Sequence, residues 1–243
     1  MQSKEAVLKQ VHAAIEHEAH IDLQSHPLAM EFEAGTLTLA GEVAHVGFKK
    51  RALAAAAGVA GVAQVVDRLV VDAGQARGDG STRDAVCKWL LRDVDFQNCA
   101  IHALVKGQWE TLRGEGTYAS GDIAVAVTDG IVTLSGQVIS LSHKRLAGVL
   151  AWWARGCRDV VNVIDVVPAE EDNDDEIADA LRLVLESDPY VHAAQIGIGS
   201  RGRVVTLEGM VASEGERARA EWDAWCLYAV DKVVNHIEVR QGA

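Results

Sequence analysis

The chain has 243 residues, of which 49% are hydrophobic and 24% charged, an ordinary balance for a globular protein. Twenty-three Lys and Arg against thirty-five Asp and Glu leave a formal net charge of −12, which repels nucleic acid and anionic lipid at long range and excludes a broadly basic nucleic-acid binder. No apolar run reaches the roughly 18 to 20 residues of a membrane-spanning helix, and Cys87, Cys99, Cys157 and Cys226 form no Cys-x-x-Cys pair and read as reduced thiols on apolar faces.

The first ten residues mix acids and bases with no apolar core of a secretion signal, so the expected location is cytoplasmic. Leu8, Val11 and Ile15 then fall at helical spacing. On that helix His12, Glu16 and His20 share one face, with His17 and Glu18 beside them. Imidazole and carboxylate together suit Zn²⁺ or Ni²⁺. With no second cluster aimed at them they read as a solvated face, and no metal site is expected. Two strands follow, joined by a tight turn at Glu33-Ala34-Gly35. A second helix opens with Lys49-Lys50-Arg51, and its inward stripe is read as Ala54, Ala57, Gly58 and Gly61. The run Ala52 to Gly58 is almost bare of bulk, so this helix is expected to pack against a neighbouring copy of the repeat. A last strand carries Val66, Leu69 and Val71, and the Gly-rich stretch 73–80 is a linker.

The next helix carries Val86, Trp89 and Leu90 behind an expected cap at Ser81 or Thr82. The segment from about 94 to 121 is an insertion. Lys106-Gly107 between two extended runs predicts an extra hairpin, read as a lid over the neighbouring core. It presents Trp109, a candidate partner-binding or membrane-interface aromatic. A hairpin with Asp129-Gly130 at its turn follows, then a helix that opens with His143-Lys144-Arg145 and carries Val149, Trp152, Trp153 and Gly156 on one stripe. The acidic run 168–175 leads into a helix with Ile177, Leu181, Val184 and Leu185. Gly197 to Gly202 matches G-x-G-x-x-G, but a strand follows rather than a helix, so the glycines are read as filling the hairpin turn and no nucleotide site is read there. A last helix bears Arg217, Arg219, Trp222, Trp225, Cys226 and Ala229 before the final strand.

These elements repeat. The runs Thr36–Val43, Ile131–Val138 and Val204–Val211 share the pattern Thr-Leu-x-Gly-x-Val around Gly41, Gly136 and Gly209. Twenty-six positions after each glycine stand Asp67, Asn162 and Asn235, then Leu69, Ile164 and Ile237, then Val71, Val166 and Val239. The eighth position after the glycine is basic in each copy, as Lys49, Lys144 and Arg217. Cations there oppose the helix dipole, so an intradomain acid or an anionic ligand is expected to offset them. The unit is α-β-β-α-β. The fold class is α+β: three tandem domains over 1–73, 80–168 and 172–241, each a small three-stranded mixed sheet with two helices on one face. Lys and Arg against Asp and Glu number six to nine over 1–72, ten to ten over 73–168, and seven to sixteen over 169–243.

The pattern of apolar-Thr-Leu-x-Gly-x-Val, a helix, and a closing Asn-x-Ile-x-Val strand resembles the BON domain, named for bacterial osmotically inducible and nodulation-associated proteins. The resemblance implies a non-enzymatic binding protein with no catalytic residues and no cofactor. It also implies a role in osmotic or envelope stress and binding of anionic phospholipid or another envelope surface. One cytosolic relative binds potassium, which makes a small-ion sensor an alternative, and a protein-interaction scaffold is another. On this reading Lys49, Lys50, Arg51, Lys144 and Arg145 are the candidate lipid or anion contacts, and nucleic acid is not a partner. The missing export signal and the insertion depart from the common pattern.

Overall fold

The structure, a computed structural model, describes residues 3–17, 23, 26–74, 77–114, 116 and 119–240. The chain divides into two units, 1–72 and 73–243.

Unit one is copy one. It runs α1 (Lys4–His17), β1 (Ala29–Glu33), β2 (Thr36–Val43), α2 (Val46–Ala57) and β3 (Gln64–Val71). β1 and β2 pair antiparallel through the tight turn, and β2 and β3 pair parallel. A parallel pair needs a crossover, and α2 supplies it. Val7, Val11 and Ile15 of α1 meet Leu37 and Leu39 of β2, Ala52 and Ala56 of α2, and Leu69 of β3 in one core. The buried stripe of α2 therefore runs through Ala52 and Ala56, whereas Ala54, Ala57, Gly58 and Gly61 are exposed. The expected stripe was out of phase: on a helix with apolar or small residues all round, composition does not mark the inner face.

Unit two holds copies two and three. Copy two comprises α3 (Asp79–Arg92), β4 (Cys99–Val105), β5 (Gln108–Arg113), β6 (Gly121–Thr128), β7 (Ile131–Val138), α4 (Leu141–Trp152), β8 (Asp159–Asn162) and β9 (Asp165–Val166). Copy three comprises α5 (Asp174–Ser187), a 3-10 turn (Ala193–Gln195), β10 (Ile196–Arg201), β11 (Val204–Val211), α6 (Glu214–Cys226) and β12 (Lys232–Val239). Copy three repeats the three-stranded plan in the order β10-β11-β12. Gly202 lies in the hairpin turn, as the sequence implied, but Gly197 and Gly199 do not: they lie before it, within strand β10.

The insertion makes the expected hairpin at Lys106-Gly107, but it is not a lid. It widens the sheet to six strands in the order β5-β4-β6-β7-β8, with β9 continuing beside β7. Ile101 and Ala103 of β4 are buried because α3 packs over β4 as well as β6. α3 also begins earlier than expected, capped at Gly78. Thr82 is not the cap: it sits one turn inside, fully buried, with its hydroxyl donating to Arg155 O at 3.3 Å.

Two devices explain why the repeat keeps its signature residues. At the motif glycine φ is +143° for Gly41, +115° for Gly136 and +135° for Gly209, a range that L side chains rarely adopt. A Cβ on Gly209 would lie 2.1 Å from Gln195 O, and one on Gly136 2.3 Å from Asp122 O. In both, a backbone carbonyl at the start of the neighbouring hairpin arm fills the place of a side chain. At the position twenty-six residues on, Asp67, Asn162 and Asn235 each accept a hydrogen bond from the N–H two residues later, at 2.9, 3.3 and 3.0 Å. Each also reaches the residue eight positions after the motif glycine, in the first turn of its second helix. Asn162 donates to Lys144 O at 2.7 Å, Asn235 donates to Arg217 O at 3.3 Å, and Asp67 pairs with Lys49 Nζ at 3.0 Å. One side chain thus ties the closing strand to the start of the crossover helix in every copy.

Gly209→Ala is expected to destabilise unit two by about 3 kcal/mol, from backbone strain and the carbonyl clash together. Gly199→Ala, whose Cβ meets nothing within 4 Å, is expected to change stability by about 0.5 kcal/mol or less. Urea unfolding followed by tryptophan fluorescence checks both, because all six tryptophans lie in unit two.

Candidate functional site

The basic residues at the starts of the second helices are largely engaged by acids of the same chain. Lys49 is 7% exposed and is held by Asp67. Arg51 lies over the Phe48 ring, 4.9 Å from its centroid, and Lys50 beside it is half-buried. Arg145 is 1% exposed; it donates to Asp172 at 2.5 Å and to Tyr228 O at 3.4 Å. Lys144 is half-buried on the same turn. Arg217 pairs with Glu214 at 3.3 Å. The acidic linker completes the balance: Glu170 accepts from the Leu141 N–H at 2.7 Å at the start of α4. Of the two offsets expected for the eighth-position cations, the structure supplies an acid for Lys49 and Arg217.

Arg145 belongs to a seam between copies two and three. α4 is buried almost all round, from Arg145 through Ala151, because its own sheet covers one side and α5 and α6 cover the other. Small residues Ala147, Gly148 and Ala151 let the elements approach closely. At the far end of α4, Trp153 packs edge-on against Trp89 and donates its indole N–H to Asp223 of α6 at 2.8 Å. Arg219 lies over both Trp153 and Trp222, bonds Asp188, and stands 3.8 Å from Asp223. Of the stripes read from the sequence, Trp153 in copy two and Trp222 in copy three meet the same Arg219 guanidinium at this seam.

Asp188 and Asp223 are both buried, with one arginine between them. Burial holds the Asp223 carboxyl well above the usual carboxylate range, against the pull of Arg219; the Asp188 charge and its hydrogen bond raise it further, and the Trp153 bond lowers it. Protonation of Asp223 removes one negative charge from beside Arg219, which is how a low-dielectric seam tolerates two carboxyls. The sequence reading missed this cluster. Asp188 and Asp223 each stand next to apolar residues, but only the docking of α4 makes them partners.

Trp109 lies on β5, the sheet's outer edge, and is 55% exposed. It pairs with Leu104 across β4–β5, on the face opposite to buried Ile101 and Ala103. By the two-residue alternation of strands the same face carries Ala124 and Ala126 of β6 and Thr133 of β7. Val161 of β8, paired with Thr133, is 43% exposed, and Val163 beyond it 56%. Both helices of copy two lie on the other face. Apolar and small side chains therefore cross an uncovered sheet from Trp109 to Val161.

The remaining expectations concern chemistry. His12 and Glu16 of α1 form an exposed pair at 3.2 Å, and His20 and Glu18 lie outside the described residues. Among the described residues no group of three or more His, Cys, Asp or Glu is placed to hold a metal ion. All four cysteines are buried and none is in a disulfide, and burial pushes the Cys87 thiol up to about 11, which leaves it protonated and inert at neutral pH. No helix among the described residues is long and apolar enough to cross a membrane.

Comparison with known proteins bears on these surfaces. A family model described as "BON domain" matches residues 3–73, 109–168 and 173–241. No curated protein matches. Among solved structures, one similar chain is the C-terminal domain of CdsD, the structural protein of the type III secretion system of Chlamydia trachomatis. It is 13% identical, with 99% of this chain and 100% of that chain covered, at a TM-score of 0.25. A second structure of CdsD is 14% identical, covers 98% of this chain and 93% of that chain, and also has a TM-score of 0.25. Likeness at that level carries no inference about function.

Two outcomes follow for the seam. Asp172→Ala strands a buried guanidinium and is expected to cost unit two about 2–3 kcal/mol, whereas Arg145→Met, which leaves a half-exposed Asp172 to water, costs less; urea midpoints of the two variants check the order. The Asp223 carboxyl takes its proton at higher pH in the fold than unfolded, so its contribution is fully present below the unfolded value of 3.8 and is lost as pH rises toward the folded value. Asp223→Asn keeps an acceptor for Trp153 without that titration. Its stability relative to the parent should therefore rise steadily with pH above 4, measured by urea midpoints across the range; a constant difference contradicts the assignment.

Proposed function

Because the chain belongs to the BON domain family over three segments covering most of its length, we propose that it is a non-catalytic tandem binding protein whose working surface is the helix-free sheet face of copy two. The family is of binding-module type rather than catalytic type. The observation that carries the reading is the exposed Trp109 at the edge of a face whose far side ends in exposed Val161 and Val163. A large aromatic in water at the rim of an apolar sheet is the composition of an interaction surface. The insertion that creates this rim is also where copy two departs from its sisters.

The partner proposed is a protein with a complementary apolar patch. Unit two carries seventeen Lys and Arg against twenty-six Asp and Glu over residues 73–243, and a charge balance of that sign disfavours an anionic lipid surface. Cytoplasmic residence remains part of the proposal, and a part in osmotic or envelope stress enters it from the family resemblance alone. Anionic phospholipid as the ligand, through Lys49, Lys50, Arg51, Lys144 and Arg145, is the competing outcome. It is disfavoured by the engagement of Lys49 and Arg145 inside the protein.

A photo-crosslinking residue at position 109, in cells that express the chain, should yield a discrete protein adduct. The same probe at Tyr190, 73% exposed in copy three, should not. Equal labelling at both positions contradicts the reading. So does co-sedimentation with phosphatidylglycerol vesicles at low salt that is lost in Lys50→Ala/Lys144→Ala and unchanged in Trp109→Ala.

A further inference from the structure

The three first helices begin in one register. Lys4, Asp79 and Asp174 are the first residues of α1, α3 and α5, and the residue three further on is buried in each, as Val7, Thr82 and Ile177. The hairpin turns also align, with Ala34-Gly35, Asp129-Gly130 and Gly202-Arg203 at the same distance before the motif glycine and all at positive φ. In copies two and three the helix-first carboxylate closes on the turn. Asp79 accepts from the Asp129 and Gly130 N–H groups at 3.0 and 2.9 Å. Asp174 accepts from Gly202 and Arg203 at 2.7 and 3.1 Å and from the Ser200 hydroxyl at 3.0 Å, and those backbone bonds hold its carboxyl below the usual range.

Copy one breaks this arrangement in two places at once. Lys4 replaces the carboxylate with a cation. Ala63 stands where copy two has Arg158, whose stem fills the space at Gly130. A cleft of about 810 Å³ results, lined by Lys4, Val7, Phe32, Glu33, Ala34, Gly35, Ala60 and Gly61. The Ala34 and Gly35 N–H groups have no hydrogen-bond acceptor among the described residues, and neither has the Lys4 ammonium.

We propose that this cleft in copy one binds a small monocarboxylate with a short apolar tail. The sister copies establish that this turn binds a carboxylate through its two amides. In copy one the turn that carries these amides lines a hollow together with Lys4, in place of an internal acid. Val7, Phe32 and Ala60 offer the tail an apolar wall. Glu33 at the rim disfavours a doubly charged head, which selects a carboxylate over a phosphate dianion. The site is in unit one, and its failure would be read at residues other than those of the copy-two surface.

Amide NMR of the full chain titrated with octanoate tests it. Octanoate should shift the Ala34 and Gly35 amides, with octanol and inorganic phosphate weaker by about ten-fold or more. Lys4→Asp rebuilds the internal carboxylate of the sister copies and should abolish the shifts while raising the melting temperature of unit one. Lys4→Gln, which neither plugs the turn nor supplies charge, should weaken binding about three- to ten-fold. Absence of octanoate shifts at those two amides, shifts that persist in Lys4→Asp, or phosphate binding as tight as octanoate overturns the proposal.

Discussion

One helix that must satisfy two neighbours constrains all of unit two. α4 closes the core of copy two and is itself closed over by α5 and α6 of copy three. A helix buried on both sides cannot keep charges on a solvated face, so the arginine at its start and the indole at its end need partners from outside copy two. The linker supplies Asp172 and Glu170 at one end, and α6 supplies Asp223 at the other. An acidic run that reads in isolation as a solvated connector is therefore part of the packing. A domain of about seventy residues buries a modest share of its surface, and sharing α4 lets copies two and three pool theirs.

Repetition and divergence fall on different positions. The motif glycine and the Asp or Asn twenty-six residues later serve one purpose in all three copies, because each satisfies backbone geometry that any α-β-β-α-β unit of this register must solve. The outer stripe of the second helix does not: it is Ala54, Ala57 and Gly58 in copy one, exposed, and Val149, Trp152 and Trp153 in copy two, where Trp153 reaches Asp223 of copy three. The first residue of the first helix changes sign between copy one and the others. The insertion changes the sheet of copy two alone. Each divergent position opens or closes a surface without touching the shared backbone plan.

That division also governs what the sequence made legible. Alternation, turn chemistry and the threefold register exposed the order of elements, the hairpins and the false nucleotide motif at Gly197–Gly202, since these depend on neighbours within a few residues. The buried face of α2 was not legible, because alanine and glycine on every side leave the helix without a hydrophobic direction. Thr82 looked like a cap because caps are short and polar; its hydroxyl instead faces Arg155, seventy-three positions away. The insertion read as a lid because nothing local distinguishes a hairpin that covers a core from one that extends a sheet edge. Lys49 and Arg145 read as surface contacts, and the acids that engage them, Asp67 and Asp172, are set beside them only by the closing strand and the linker. Trp109 was recognisable as an exposed aromatic; the apolar face behind it required the sheet order.

Native-state hydrogen exchange on the full chain tests the shared helix most directly. If copies two and three are one cooperative unit, slow amides of α4 and α6 open with the same free energy and respond equally to urea, while those of α2 open with a different one. If α6 opens at a free energy well below that of α4, the two copies are separate domains and the seam described here does not hold them together.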